Sequence, residues 1–311
     1  MHDADNKDVS DMNDKRHLLS RIVYPIGMAM SCIILLIICI LALIDKKLIN
    51  RMTLRLISAI AITNFIEHWA EYFPYRQLYV LGSTTCEVVV GFRTFARTFY
   101  CFTQLAISYH LFRRVVQLKE SSWRYELITW GVITAATIPF VILYYFIGVF
   151  GDTELKGKCI PGNPVNETNN RFFHIIASLL NFTTIVVCIF VTIIGHRSLN
   201  HWIDHYAQTN LDSGLDQEKF KNEKTKLAQR SFLYPLTTCI VLPIETIYYF
   251  LTGCGLEIDD LVNPMIVTSG LSGTLTAIIF FIDPALWHSA SLAKERVKNW
   301  WEIKGNTNID E

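Results

Sequence analysis

Charge is scarce in this sequence. Aspartate, glutamate, lysine and arginine make up 18% of its 311 residues, against roughly 25% in an ordinary soluble domain. Hydrophobic residues make up 51%, and the mean hydropathy is +0.29. The apolar residues are gathered into long, sparsely charged blocks, which is how a multi-span membrane protein reads. Lysine is absent from every block: all 14 lysines lie in the polar segments. That excludes a retinal pigment, whose Schiff base needs a lysine in its pocket. Histidine is scarce too, with only His68, His110 and His174 inside blocks. One in each of three blocks is too few for an intramembrane metallohydrolase, which needs several ligands converging on a metal. The best histidine spacing, His201 and His205, falls in a polar segment. No internal repeat is present, and Pro139, Pro235 and Pro243 show no pairing. Both absences count against a transporter built on inverted repeats with broken helices at midplane. The first 20 residues are polar and acidic and contain no apolar signal region, so the first block is expected to act as its own insertion signal.

Seven blocks are present, at about 22–44, 56–73, 86–112, 127–150, 172–195, 231–253 and 261–282. Each reaches or approaches the ~20 residues a helix needs to cross the hydrocarbon core. The second and third carry charges and score lower on a hydropathy window. The predicted fold is an all-α membrane protein. Residues 1–20 form an extracellular polar tail, 21–284 a seven-transmembrane helix bundle, and 285–311 a cytoplasmic amphipathic interfacial helix and tail.

Lysine and arginine set the orientation. With the N-terminus outside, the inner segments hold 18 of the 28 and the outer segments eight. This bias predicts a cytoplasmic C-terminus. Two features agree with that side. The sequon "NET" at Asn166 lies in the second outer loop and would be a glycosylation site. Five of the eight cysteines lie within blocks, while Cys86, Cys159 and Cys254 lie at or beyond outer ends. An oxidising exterior permits a bridge from Cys159 to either Cys86 or Cys254.

Seven spans, an outer N-terminus, a cysteine at the start of the third span and another in the second outer loop form a recognisable pattern. It resembles the G-protein-coupled receptor superfamily over about residues 20–304. The end of the last span, "FFIDPALW", is most similar to the cyclic-AMP-receptor-like and nutrient-sensing receptors of fungi and amoebae. The sequence departs from the rhodopsin-like class. "AISYHLFRR" contains no "DRY" triplet, and "NPMIV" at Asn263 sits at the outer end without a tyrosine. "CIVLP" offers Pro243 but no tryptophan before it. The resemblance implies a Cys86–Cys159 disulfide and a non-enzymatic receptor of the plasma membrane. It implies an extracellular small-molecule or peptide ligand and a heterotrimeric G protein docked on the inner face. Arg113, Arg114, Lys224 and Lys226 are the expected coupling residues. No cofactor, metal or nucleic-acid partner is expected. The alternative function is a multi-span transporter or channel with a Glu/Arg pathway through the membrane.

The C-terminal stretch "ALWHSASLAKERVKNWWEI" reads as a helix on the inner leaflet. Trp287, Val297, Trp300 and Trp301 suit the interface, and Lys294, Arg296 and Lys298 suit anionic lipid headgroups. In the long inner segment 196–230, the run "DQEKFKNEKTKLAQR" reads as a charged extension of the sixth span, with Glu218 set against Lys221. Such a run is also what a solvated face looks like.

The third span holds "GFRTFARTF", with Arg93 and Arg97 one helical turn apart. The second holds Glu67 and Glu71, also four apart, with His68 between. A charge at the bilayer centre costs roughly 2.5–3.5 kcal/mol, so it faces the bundle interior and finds a partner. Counting about 1.5 Å per residue from Pro74 and Cys86 puts Glu67 and Arg93 at the same depth, about 10 Å. A Glu67–Arg93 pair is therefore expected. Arg97 lies about 16 Å deep, below both acids, with Glu245 of the sixth span within an arginine's reach. If Arg97 serves a ligand, that ligand carries an anionic or hydrogen-bond-accepting group. Glu67, His68, Glu71, Arg93, Arg97, Glu245 and Tyr248 form the predicted ligand site. The plainer alternative is a clasp that fixes the helices in register.

Overall fold

The computed structural model describes residues 2–49, 51–75, 83–115, 117, 119, 121–151, 159–210, 232–256 and 258–307. Among them the helices are α1 (His2–Ile44), α2 (Met52–Tyr75), α3 (Thr84–Val115), α4 (Trp123–Phe146), α5 (Glu167–Asn210), α6 (Leu233–Gly253), α7 (Val262–Ile282) and α8 (Pro284–Thr307). A single 3-10 turn, Asp259–Leu261, leads into α7. No strand occurs among the described residues.

Among the described residues, five helices are long and apolar enough to cross a membrane: Leu18–Ile44 within α1, α4, Glu167–Ser198 within α5, α6, and the stretch Asp259–Ile282 containing α7. The chain is thus a multi-pass membrane protein by length and composition. α2 and α3 fall outside this set; their charges include Glu67, Glu71, Arg93 and Arg97. Packing shows where those charges go. α1 packs against α2 and α7, closing a ring, and α3 contacts α2, α4, α5 and α6.

Burial is inverted relative to a water-soluble bundle. Asn64, His68, Gln104 and Ser108 are fully or almost fully buried, while Leu127, Ile128 and Phe146 are exposed. Helices that present apolar side chains outward require an apolar surrounding. Several threonine hydroxyls inside the spans are satisfied within their own helices. Thr94, Thr98, Thr137 and Thr246 each donate to the carbonyl four residues earlier, at 2.8–2.9 Å, so none leaves a bare donor in the apolar layer.

α1 and α7 approach through small residues. A Cβ on Gly273 would collide with the carbonyl oxygen of Gly27 and lie 2.7 Å from Ser31 Oγ, and one on Gly27 would meet the carbonyl oxygen of Gly270. Backbone-to-backbone approach of this kind needs glycine on both sides.

Three boundaries differ from the sequence reading. The polar tail 2–20 continues α1 as helix, because neither glycine nor proline interrupts it before Pro25. α5 runs through Gly195 to Asn210, a stretch in which no proline and no second glycine follows to stop it. α8 begins at Pro284 and is tied back to the turn after α1: Arg296 pairs with Asp45, and Ser289 Oγ donates to the Leu48 carbonyl at 3.2 Å.

Candidate functional site: a charged cavity among α2, α3 and α6

α2 and α3 run antiparallel, each carrying two charges one turn apart. The nearer pair to the Cys86 end is Arg93 with Glu71. One turn further in, Arg97 Nη1 lies 3.3 Å from Glu67 Oε1 and 3.4 Å from Oε2. The other terminal nitrogen of Arg97 pairs with Glu245 of α6. Arg97 thus bridges three helices, with its planar fork reaching a carboxylate on each side.

This corrects the expected Glu67–Arg93 pair. The ladder is staggered by one turn, Arg93 with Glu71 and Arg97 with Glu67, because Pro74 and Cys86 do not lie level. Arg97 is not left without an acid at its depth, so the inference that it calls for an anionic ligand loses its basis.

These five charged residues line one cavity, with about 600 Å³ of empty space counting the part open to solvent. Its remaining walls are partly aromatic, from Tyr24, Tyr144, Phe173 and Tyr249, and partly polar, from Thr94, Thr98, Asn181 and Ser269. Pro161 contributes to the wall from the segment between α4 and α5. That segment is anchored by a Cys86–Cys159 disulfide, with Cys254 free and exposed. Asn163 organises it, donating from Nδ2 to the Ile147 carbonyl at 2.7 Å while its own N–H donates to Asn170 Oδ1 at 3.1 Å. Gly148 and Gly162 take the positive φ values, +75° and +137°, that this reversal requires.

Two residues of the predicted site lie off the wall. His68 sits behind it, with Nε2 3.3 Å from Ser272 Oγ, beside the Tyr24 ring. Tyr248 is half-buried beside Tyr249, and it is Tyr249 that faces the cavity. The sequence reading missed Tyr24, Tyr144, Phe173, Asn181 and Ser269. None carries a charge that would single it out in an apolar block. A polar column continues beneath the cavity: Ser269 Oγ donates to Glu67 at 3.5 Å, Ser272 Oγ to Asn64 Oδ1 at 3.3 Å, and Asn64 Nδ2 to Thr276 at 3.3 Å.

At the opposite end, Arg113 stacks on the Tyr125 ring, 3.8 Å from its centroid. Arg55 of α2 pairs with Glu126 of α4 at 2.6 Å, and Trp130 Nε1 donates to the same carboxylate at 3.4 Å. Arg114, Arg51, Arg55 and His110 border a depression between α2, α3 and α4. Lys224, Lys226, Glu218 and Lys221 lie outside the described residues, as do the side chains of Trp300 and Trp301. Asn166 is exposed, and its Oδ1 accepts the Asn169 N–H at 3.1 Å, capping α5.

No protein-family model matches the chain, and no curated protein matches it.

Proposed function

We propose that the chain is a G-protein-coupled receptor of the plasma membrane, with α1 to α7 as its seven spans and the N-terminus outside. A small extracellular ligand would enter the charged cavity and shift the helices between two arrangements, altering the inner face. The carrying observation is the Arg97 bridge. One buried side chain holds acids of α2 and α6 together, beneath a loop anchored by a disulfide. A ligand that competes for either acid would change how α6 sits against α2 and α3. Pro243 lies within α6, two residues before Glu245, where a kink can absorb such a movement. The basic residues at the far end, Arg113 and Arg114, fit the face offered to a G protein. α8, with Trp287 exposed and its indole N–H on the Phe281 carbonyl at 2.7 Å, fits an interfacial helix on the inner leaflet.

The test is nucleotide exchange on co-expressed G-protein subunits. Membranes containing the chain should accelerate exchange over membranes without it. Replacing Arg113, Arg114, Lys224 and Lys226 together by glutamine should reduce that acceleration while surface expression stays near normal. The polar column from Glu67 to Thr276 favours the second reading, a transporter or channel with a Glu/Arg pathway. That reading gains if no exchange is seen and solute flux is.

Orientation has its own check. In microsomes, a glycosidase-sensitive mobility shift that disappears in Asn166→Gln places the α4–α5 segment outside. Cleavage of that segment by a protease confined to the cytoplasmic side would reverse the topology.

A further inference from the structure

The charges in the cavity do not balance. Three carboxylates, Glu67, Glu71 and Glu245, face two guanidiniums, Arg93 and Arg97. Arg93 serves Glu71, and Arg97 is shared between Glu67 and Glu245. Among the described residues lining the cavity there is no third cation. Two histidines stand close by, both off the wall: His68 lies behind it against Ser272, and His174 sits beside the Tyr249 ring with its Nδ1 2.8 Å from the Asn170 carbonyl. All three carboxylates are at least nine-tenths buried, where an uncompensated charge is costly.

A second observation points to a ligand in the same place. Asn181 of α5 is 2% exposed and lines the cavity. Its Oδ1 accepts from the Cys101 thiol at 3.2 Å, yet its Nδ2 has no partner among the described residues. One end of a buried amide is therefore available to a bound molecule. The walls add a third feature. Tyr24, Tyr144, Phe173 and Tyr249 line the cavity together with the charged residues, and aromatic rings attract cations.

We propose that the cavity binds a small organic cation, a protonated amine, seated between Glu67 and Glu245 beside Arg97. The amine supplies the missing positive charge, the rings enclose its carbon skeleton, and the Asn181 amide meets a polar group on it. Its arrival relieves Arg97 of sharing two acids, which links occupancy to the α2–α6 bridge. This specifies the ligand class of the receptor reading and rests on that reading for its physiological meaning; the binding itself can be measured without a G protein.

The experiment uses the purified full chain in detergent near pH 7. Melting midpoints are recorded with primary ammonium ions from methylammonium to phenethylammonium. Each is compared at equal ionic strength with its neutral alcohol and its carboxylate counterpart. At least one ammonium should raise the midpoint by several degrees where its alcohol and carboxylate do not. The shift should vanish in Glu245→Gln, which leaves two carboxylates facing two guanidiniums. Glu67→Gln gives the same balance and serves if the first variant does not fold. Stabilisation by the carboxylates, or by no member of the three series, overturns the proposal. So does full stabilisation by lowering pH with no added effect of ammonium, since a proton would then be the missing charge. If ammonium binds but exchange on the G protein is absent, the cation site stands and the receptor reading falls.

Discussion

Arg97→Ala should be the most damaging single substitution in the cavity. It strands Glu67 and Glu245 together, 3% and 5% exposed, with Arg93 already engaged by Glu71. Removing one partner of a buried ion pair costs about 3–5 kcal/mol, because the remaining charge is left uncompensated. Against a typical total of about 5–15 kcal/mol, that is enough to deplete the folded population. Surface expression and the melting midpoint of purified protein should both fall, and by more than in Arg93→Ala, which strands only Glu71. Arg97→Lys should recover part of the loss, since an ammonium supplies the charge but cannot fork to both acids. Arg97→Ala with Glu245→Gln should also recover part, by removing one stranded carboxylate. A midpoint for Arg97→Ala within a degree of the parent would show that the bridge contributes nothing to folding.

The Cys86–Cys159 disulfide should give the second large effect. It joins residues 73 apart in sequence, and loop-closure entropy over that length corresponds to about 4 kcal/mol. That figure is an upper bound in a bilayer, where the helices remain inserted when the bundle opens. The expected loss in Cys159→Ser is about 2–4 kcal/mol. The segment around Pro161 should also come away from the cavity and become sensitive to protease, with no matching change at the Arg113 end. Non-reduced peptide mapping should recover Cys86 joined to Cys159. Recovery of Cys159 joined to Cys254 would refute the pairing, as would an unchanged protease pattern in Cys159→Ser.

The sequence by itself determined most of the helical architecture. Long apolar blocks have one low-energy form in an apolar surrounding, because only a helix satisfies its backbone internally. It also determined which residues would meet somewhere inside. Spacing of four puts Glu67 and Glu71 on one face of α2, and Arg93 and Arg97 on one face of α3, so opposite charges on neighbouring helices had to find each other. It identified Glu245 as within reach of Arg97 and left Cys159 with two possible partners.

Only the tertiary structure decided the register. Counting residues inward from Pro74 and Cys86 assumes that both mark the same level. They are offset by about a turn, or about 6 Å for four residues. The axial stagger of two packed helices follows from side-chain interdigitation along their whole length, so residue counts cannot supply it. That one-turn offset turned the expected Glu67–Arg93 pair into a two-rung ladder with Arg97 bridging to α6. The uncharged part of the wall escaped for a related reason. Tyr24, Tyr144, Asn181 and Ser269 come from four different helices, and each is ordinary in its own segment. What places them around one cavity is the rotation of each helix about its axis, which many packing contacts set together and no local pattern encodes.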